Sequence, residues 1–407
     1  MPPVRTRSLV PWLLLAVIAL IAYGSLYPFN FKADAFDGGL WNALRELSWA
    51  RAGRGDRISN VLLYLPLGFC LLLSLNTKLH QGLAFAVATL TGSLLSLCIE
   101  VAQVYISARV PSLTDLMLNA FGTSLGALIG MGWDTIANWM HLPRRAEKPA
   151  RDPSAALLVM LWLAWRFAPF VPHFDLGKLK AALQPLFRPH LDLSQVLIYL
   201  TYWLVISRAV ASVVSRPRTL EALLLLIAVV LIGRLIVANQ AFVPSELLAL
   251  LVLMPLVLVM HWLTPAPRRL VLVGAIISVF MFLRLAPFDF AVSPAPFDFW
   301  PFLQWFDIGP AAAWSMTDWV AFFGNLFLFG AVLWTVRHSG LSFNVAAGTL
   351  MVLVLVTETM QMWLPARTGS LTDPVLALLV MLAFRYVLQK SRREFRRRAI
   401  SQRGRTL

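Results

Sequence analysis

The stretch CIEVAQVYISARVPSLTDLMLNA, residues 98–120, decides how this chain is organised. It places four polar side chains between two long apolar runs, and a second stretch, VTETMQMWLPARTGSLTDPVLAL at 356–378, repeats them at the same spacing. Ionisable residues are costly inside a bilayer, where they mark functional sites by default. The duplication predicts two copies of one site: Glu100, Gln103, Arg109 and Asp115 in the first, and Glu358, Gln361, Arg367 and Asp373 in the second.

Composition places the chain among membrane proteins. Of its 407 residues, 59% are hydrophobic and 14% are charged, and the mean hydropathy is +0.72. Crossing a bilayer takes about 20 apolar residues. We therefore predict an all-α, polytopic helical membrane protein with about twelve transmembrane helices. The apolar runs lie near residues 9–27, 57–75, 82–106, 113–133, 154–171, 194–214, 219–238, 244–263, 270–286, 317–336, 342–363 and 371–389.

Three related motifs divide these runs into groups of four. S-L-Y-P-F at 25–29, R-F-A-P-F at 166–170 and R-L-A-P-F at 284–288 each close the first run of a group. We therefore predict three four-helix repeats, of which the middle one lacks a Glu-x-x-Gln pair, is degenerate and serves as a scaffold. The predicted boundaries are 1–150, 151–265 and 266–390, followed by a basic cytoplasmic tail at 391–407.

The basic residues indicate an orientation. The formal net charge is +15, and Lys and Arg are more frequent on segments that would face the cytoplasm if both termini lie inside. The predicted site residues then lie at the outer face. The arginine-rich tail is expected to attract anionic head groups of the inner leaflet. A nucleic-acid role is the weaker alternative, because no recognition motif accompanies the charge.

Each residue type in the duplicated site allows a functional and a structural interpretation. Glu100 and Glu358 lie within apolar runs, where an acid costs more than simple helix–helix contact requires, so a functional role is favoured. Arg109 and Arg367 are suited to a bidentate grip on a phosphate or carboxylate, or are solvated in their loops. Further candidates share the faces of these residues or cap helices: Asp56, Asn60, Asp115 and Asn119 near the first copy, and Asp318, Asn325 and Asp373 near the second.

Neighbouring residues support this interpretation. Ser112 and Ser370 are expected to cap the helices that follow them, with the acid three residues later completing a capping box. Gly122, Gly126 and Gly130 recur every four residues, which predicts close packing against another helix. The chain lacks the usual motifs of metal, nucleotide and acyl-transfer sites, so no metal and no cofactor are expected.

The combined motifs resemble the VanZ-like family of bacterial membrane proteins. The shared features are a Y-P-F helix end, a D-x-x-x-N…P-L-G helix, an E-x-x-Q helix end and an R-x-x-S-x-x-D loop. The resemblance is good from residue 23 to about 133, carries departures from 284 to about 386, and is weak between. It implies a multi-pass protein of the bacterial cytoplasmic membrane and envelope, with a namesake associated with resistance to a glycopeptide antibiotic. It implies no general activity.

Three functions remain open from the sequence. The first is a non-catalytic protein whose outer-face pocket binds a phosphorylated lipid or a lipid-linked glycan, alongside other envelope biosynthesis proteins. The second is an enzyme that uses Glu100 or Glu358 as a general base on a lipid-linked substrate. The third is a transporter, which is disfavoured because no charge is predicted near the bilayer midplane. Whether the two copies form one site or two also stays open.

Overall fold

The computed structural model describes residues 10–26, 49, 54–76, 79–106, 112–133, 152–170, 176–214, 218–237, 240–302, 316–365 and 367–403. Thirteen helices lie in these ranges: α1 (Val10–Leu26), α2 (Arg54–Leu75), α3 (Gln81–Gln103), α4 (Leu113–Met131), α5 (Pro153–Phe167), α6 (Leu176–Phe187), α7 (Leu193–Val213), α8 (Thr219–Ile236), α9 (Pro244–Trp262), α10 (Pro265–Leu285), α11 (Met316–His338), α12 (Phe343–Gln361) and α13 (Thr372–Arg403).

The prediction of an all-α membrane protein is confirmed. Eight of the described helices are long and apolar enough to cross a membrane: α2, α3, α7, α8, α10, α11, α12 and α13. Shorter apolar helices include α5 and parts of α1 and α9. The count of twelve spans and their arrangement as three repeats stay predictions. For description, α1–α4 are called the N-terminal group, α5–α9 the middle group and α10–α13 the C-terminal group.

Glycines bring α2 and α4 into backbone contact. A Cβ added at Gly126 would lie 1.9 Å from the Leu65 carbonyl oxygen, and one at Gly122 would lie 2.4 Å from the Val61 oxygen. Across the same contact, a Cβ at Gly68 of α2 would lie 1.8 Å from an α4 carbonyl oxygen. The predicted close packing of the α4 glycines is therefore confirmed, and small residues let the two backbones approach.

The buried side chains form two cores. One is built from the N-terminal group and includes Tyr64 and Leu67. The other runs through the middle and C-terminal groups, where the ring of Trp162 in α5 lies 5.2 Å from that of Trp203 in α7 and 4.9 Å from that of Phe327 in α11. Helices from two predicted repeats therefore share one aromatic core.

Several helix ends meet at one end of the bundle, which we call the motif end. The ring of Tyr23, late in α1, lies 5.1 Å from that of Trp319, early in α11. The ring of Phe170, just after α5, packs against the ring of Phe323 of α11, with 5.2 Å between the ring centroids. The ends of α10 and α12 join them through the ion pair between Arg284 and Glu358. The described site residues of the N-terminal and C-terminal groups thus lie toward the same end, together with the end of α5.

Candidate functional site

In the C-terminal group, an arginine lies between two acids. The Arg284 guanidinium, at the end of α10, pairs through Nη2 with Glu358 Oε1 of α12 and with Asp373 Oδ2 in the first turn of α13. The three side chains are 8%, 2% and 12% exposed, in that order. Buried charges persist when they are paired and hydrogen-bonded. This cluster therefore ties three helix ends together.

The remaining bonds of these acids are also made within the protein. Glu358 Oε2 accepts the backbone N–H of Ser370 at 2.6 Å, and Asp373 Oδ1 accepts the side-chain amide of Asn325 at 3.2 Å. Gln361 Nε2 donates to the Arg284 carbonyl at 2.9 Å. Ser370 Oγ accepts the Thr372 N–H, as expected for a helix cap. The carboxylate oxygens of Asp373 bond to Arg284 and Asn325, and the Ser370 N–H, which the predicted capping box assigns to Asp373, is bound by Glu358.

Two other predicted residues of this copy are less buried than Glu358 and Gln361. Arg367 is half-buried, and its Nη2 donates to the Leu283 carbonyl at 3.1 Å, one residue before Arg284. Asp318, in the first turn of α11, is exposed. The structure thus brings Asn325, Glu358, Gln361, Arg367 and Asp373 to the end of α10.

Backbone hydrogen bonds to residues 291–298 hold the loop that carries Ser370. The Ala295 N–H donates to Met362 O at 2.6 Å, and the Asp298 N–H donates to Gly369 O at 2.8 Å. A Cβ at Gly369 would lie 2.6 Å from the Glu358 carbonyl oxygen. Only glycine therefore lets this loop lie against the end of α12, where the Ser370 N–H meets the Glu358 carboxylate.

The N-terminal group repeats part of this geometry. Glu100 is 2% exposed, and its Oε2 accepts the Ser112 N–H at 2.8 Å. Gln103 Nε2 donates to the Ser25 carbonyl at 2.7 Å, as Gln361 does to Arg284. Ser25 is the residue that precedes L-Y-P-F, where the third motif has Arg284. The same bonds are therefore made around a serine instead of an arginine.

The other predicted residues of the first copy differ in their surroundings. Asn119 Nδ2 donates to Ser96 Oγ at 2.9 Å and so joins α4 to α3. Asn60 and Asp115 are half-buried. Arg109 lies outside the described residues, as do most of the S-L-Y-P-F motif and the side chain of Asp56, whose backbone belongs to the first turn of α2.

The middle group holds a second ionic cluster that the sequence did not predict. Arg166 Nη2, late in α5, lies 2.7 Å from both carboxylate oxygens of Glu246 in α9. Arg234 Nη2 of α8 lies 2.6 Å from Glu246 Oε2, and Trp203 Nε1 donates to Oε1 at 3.1 Å. Glu246 is 1% exposed. The group that was expected to be a degenerate scaffold therefore carries its own buried charges.

Sequence signals for these arginines were available. Arg166 and Arg284 each begin an R-x-A-P-F motif, and Arg234 lies within an apolar run. Both R-x-A-P-F turns contain a cis Ala–Pro bond followed by a phenylalanine with positive φ, 62° at Phe170 and 66° at Phe288. The two turns are thus built alike, and each directs its arginine to an acid in the same group.

Comparisons with known proteins agree with part of this description. No curated protein and no solved structure matches the chain significantly. Residues 11–134, which cover α2–α4 and α1 from its second residue, match the family model described as VanZ/LLP1. The N-terminal group, with Glu100, Gln103, Ser112 and Asn119, is therefore similar to this family, as its motifs predicted.

Proposed function

We propose that the chain is a VanZ-like, non-catalytic protein of the bacterial cytoplasmic membrane, with both termini in the cytoplasm. Its motif end faces outward and binds the anionic head group of a phosphorylated lipid or a lipid-linked glycan. In this role it assists envelope polysaccharide or cell-wall processes, including tolerance of glycopeptide antibiotics. The proposal includes twelve transmembrane helices in three four-helix repeats, with the middle one degenerate in sequence.

The hydrogen bonds of Glu358 favour a binding role over a catalytic one. Arg284 takes one of its carboxylate oxygens, and the Ser370 N–H takes the other. A general base must reach the proton that it abstracts and accept it. A carboxylate held by a guanidinium and a backbone amide is better suited to fixing a loop. Glu100 makes the corresponding bond to Ser112.

The loops that these acids fix carry the proposed ligand-binding arginines. Arg367 lies three residues before Ser370, is half-buried, and uses one nitrogen on the Leu283 carbonyl. A guanidinium has five N–H donors in a fork that matches phosphate. Arg109 has the same spacing to Ser112 in the first copy. We therefore propose that both arginines contact head groups at the outer surface.

Lipid analysis tests this proposal. The purified full chain should carry phosphate-bearing lipids in excess of their share of the membrane, as measured by mass spectrometry of the extracted lipids. Arg109→Ala and Arg367→Ala should reduce that excess several-fold. Arg385→Ala should not, because Arg385 is an exposed residue of α13 that lies about three helical turns beyond Asp373.

Two results would contradict the proposal. Equal lipid content in the wild type and both arginine variants would exclude head-group binding by these loops. Turnover of a lipid-linked substrate that is lost in Glu100→Gln or Glu358→Gln, with lipid content retained, would favour the enzyme instead.

A further inference from the structure

The ionic cluster of the middle group has more positive than negative charge. Arg166 and Arg234 are each paired with the single carboxylate of Glu246, and the three side chains are 5%, 5% and 1% exposed. One carboxylate balances one guanidinium. A buried charge without compensation is strongly unfavourable. The cluster therefore favours the binding of one more anion.

Among the described residues, the nearby charged groups do not supply that anion. Lys178 of α6 donates to the carbonyls of Arg234 and Gln240 and adds positive charge; burial, and then the charge of Arg234, lower the pKa of its amine. Asp192 reaches the region through its backbone N–H, which donates to Ser245 Oγ. Its own carboxylate caps α7 by accepting from Ser194.

Both guanidiniums also have N–H donors that Glu246 does not bind. Glu246 engages the Nη2 atoms of both, and Arg234 Nη1 donates to the Ala241 carbonyl. The Nε–H of Arg166 and that of Arg234 are buried and have no hydrogen-bond partner among the described residues. Buried donors in native proteins are nearly always satisfied. Arg284 of the C-terminal group also has a buried Nε–H without a partner among the described residues, so the two donors favour a ligand with several acceptor oxygens only together with the excess positive charge.

Both arginines line a cavity at the motif end. Its volume is about 410 Å³, and its walls include Trp165, Arg166, Tyr199, Arg234, Gln240 and Thr317. Small-molecule sites usually occupy roughly 300–1,000 Å³. The hydroxyls of Tyr199 and Thr317 are additional donors, and the rings of Trp165 and Tyr199 lie 5.4 Å and 5.7 Å from the Arg166 guanidinium carbon. The cavity thus combines hydrogen-bond donors with an aromatic wall.

We propose that this cavity of the middle group is a binding site for a phosphoryl group, held by the guanidiniums of Arg166 and Arg234. Phosphate offers the oxygens that a pair of guanidinium forks requires. Glu246 orients both forks and cancels only one of the two charges. A lipid head group as the source of the phosphate rests on the proposed function, whereas the site itself does not.

A titration of the full chain in a non-ionic detergent tests the site. The probes are inorganic phosphate, a short-chain phosphatidic acid and a phosphate-free diacylglycerol, each at constant ionic strength. The readout is the thermal unfolding midpoint. Arg234→Gln leaves a balanced Arg166–Glu246 pair and is expected to fold. This variant should bind phosphate and phosphatidic acid about ten-fold or more weakly than the wild type, since a charge-assisted hydrogen bond contributes about 1.5–3 kcal/mol.

Two arginines provide matched controls. Arg337→Gln changes a half-buried arginine at the opposite end of the bundle, 3.9 Å from Asp152, and Arg385→Gln changes an exposed arginine of α13. Both should keep the wild-type affinity for inorganic phosphate. Glu246→Gln, which removes the internal acid, should give a larger phosphate-dependent rise of the midpoint than the wild type, because two guanidiniums then lack compensation.

The outcomes separate this site from the proposed function. Wild-type affinity in Arg234→Gln, or equal protection by chloride, would overturn the site. Phosphatidic acid binding that is lost in Arg367→Gln alone, together with no binding of inorganic phosphate that depends on Arg234, would overturn the site and support the proposed function. Binding of inorganic phosphate that depends on Arg234, without binding of phosphatidic acid, would support the site and contradict the proposed function.

Discussion

Arg284→Gln is the sharpest test of the idea that the duplicated acids fix the structure. The substitution removes the only cation that the described contacts place between Glu358 and Asp373. Both carboxylates would then lie close together and buried, with only neutral donors, namely the Ser370 N–H and the Asn325 amide. Like charges at such a site cannot both stay ionised without a large cost.

The structure gives the expected magnitude. Removing one partner of a buried ion pair costs about 3–5 kcal/mol, because the other partner stays buried without compensation. Arg284 serves two acids with side chains 2% and 12% exposed, so we expect a cost of about 3–5 kcal/mol for Arg284→Gln. The double variant Arg284→Gln/Glu358→Gln should be more stable than Arg284→Gln alone, because one uncompensated carboxylate has been removed.

Equilibrium unfolding in mixed detergent micelles, followed by tryptophan fluorescence, would measure these differences. Arg385→Gln is the control: Arg385 is exposed on α13, and its loss should change stability by less than about 0.5 kcal/mol. If Arg284→Gln were as stable as that control, or if the free-energy changes of the two single substitutions simply added in the double variant, the cluster would not stabilise the structure through these ion pairs.

Two further predictions concern packing and pH. Gly126→Ala should destabilise the N-terminal group by about 1–3 kcal/mol, because its Cβ would lie 1.9 Å from Leu65 O. Gly274→Ala is the control: a Cβ there has nothing within 4 Å, so this change should be neutral or stabilising in a thermal unfolding assay. Equal effects of the two changes would contradict the close contact of α2 and α4. Asp192 accepts from the side chain and then the backbone of Ser194, which lowers the pKa of its carboxyl below 3.8. Its contribution is therefore complete above pH 3.8 and lost as the pH falls through the folded-state pKa, so the difference in midpoint between the wild type and Asp192→Asn should shrink only at that acidic end.

The sequence was most informative where the chemistry is local or repeated. The E-x-x-Q spacing placed Glu358 and Gln361 on one helix face, and both reach the end of α10. The shared S-L-T-D segment predicted the caps by Ser112 and Ser370. Each of these features depends on the helical period or on the first residues of a helix, which a sequence specifies directly.

Partners that are distant in the chain were harder to find. Arg284 is 74 residues from Glu358, and helical periodicity shows which face a residue occupies but not which helix packs there. From the sequence, Arg367 is the candidate cation of the second copy, because it belongs to the repeated motif. In the structure, Arg367 donates to the Leu283 carbonyl, and Arg284 makes the ion pairs.

The middle group was underestimated because it was compared by residue identity. The C-terminal group has its acids at the end of the third helix and the start of the fourth, in Glu358 and Asp373. The middle group has Arg234 near the end of α8 and Glu246 in the first turn of α9. The positions are similar, but the charge at the first of them has the opposite sign, whereas both groups have an acid at the second. A comparison of charges at helix ends would have found the cluster.

The signs also predict that the two clusters respond differently to anions. One arginine faces two acids in the C-terminal group, whereas two arginines face one acid in the middle group. Removing Arg284 makes its cluster more negative, so phosphate should not restore the stability that Arg284→Gln loses. That variant should nevertheless keep the full phosphate-dependent rise of the unfolding midpoint, because Arg166 and Arg234 are unchanged. A phosphate response that disappears in Arg284→Gln would mean that the anion binds in the C-terminal group, and the assignment of opposite roles to the two clusters would be wrong.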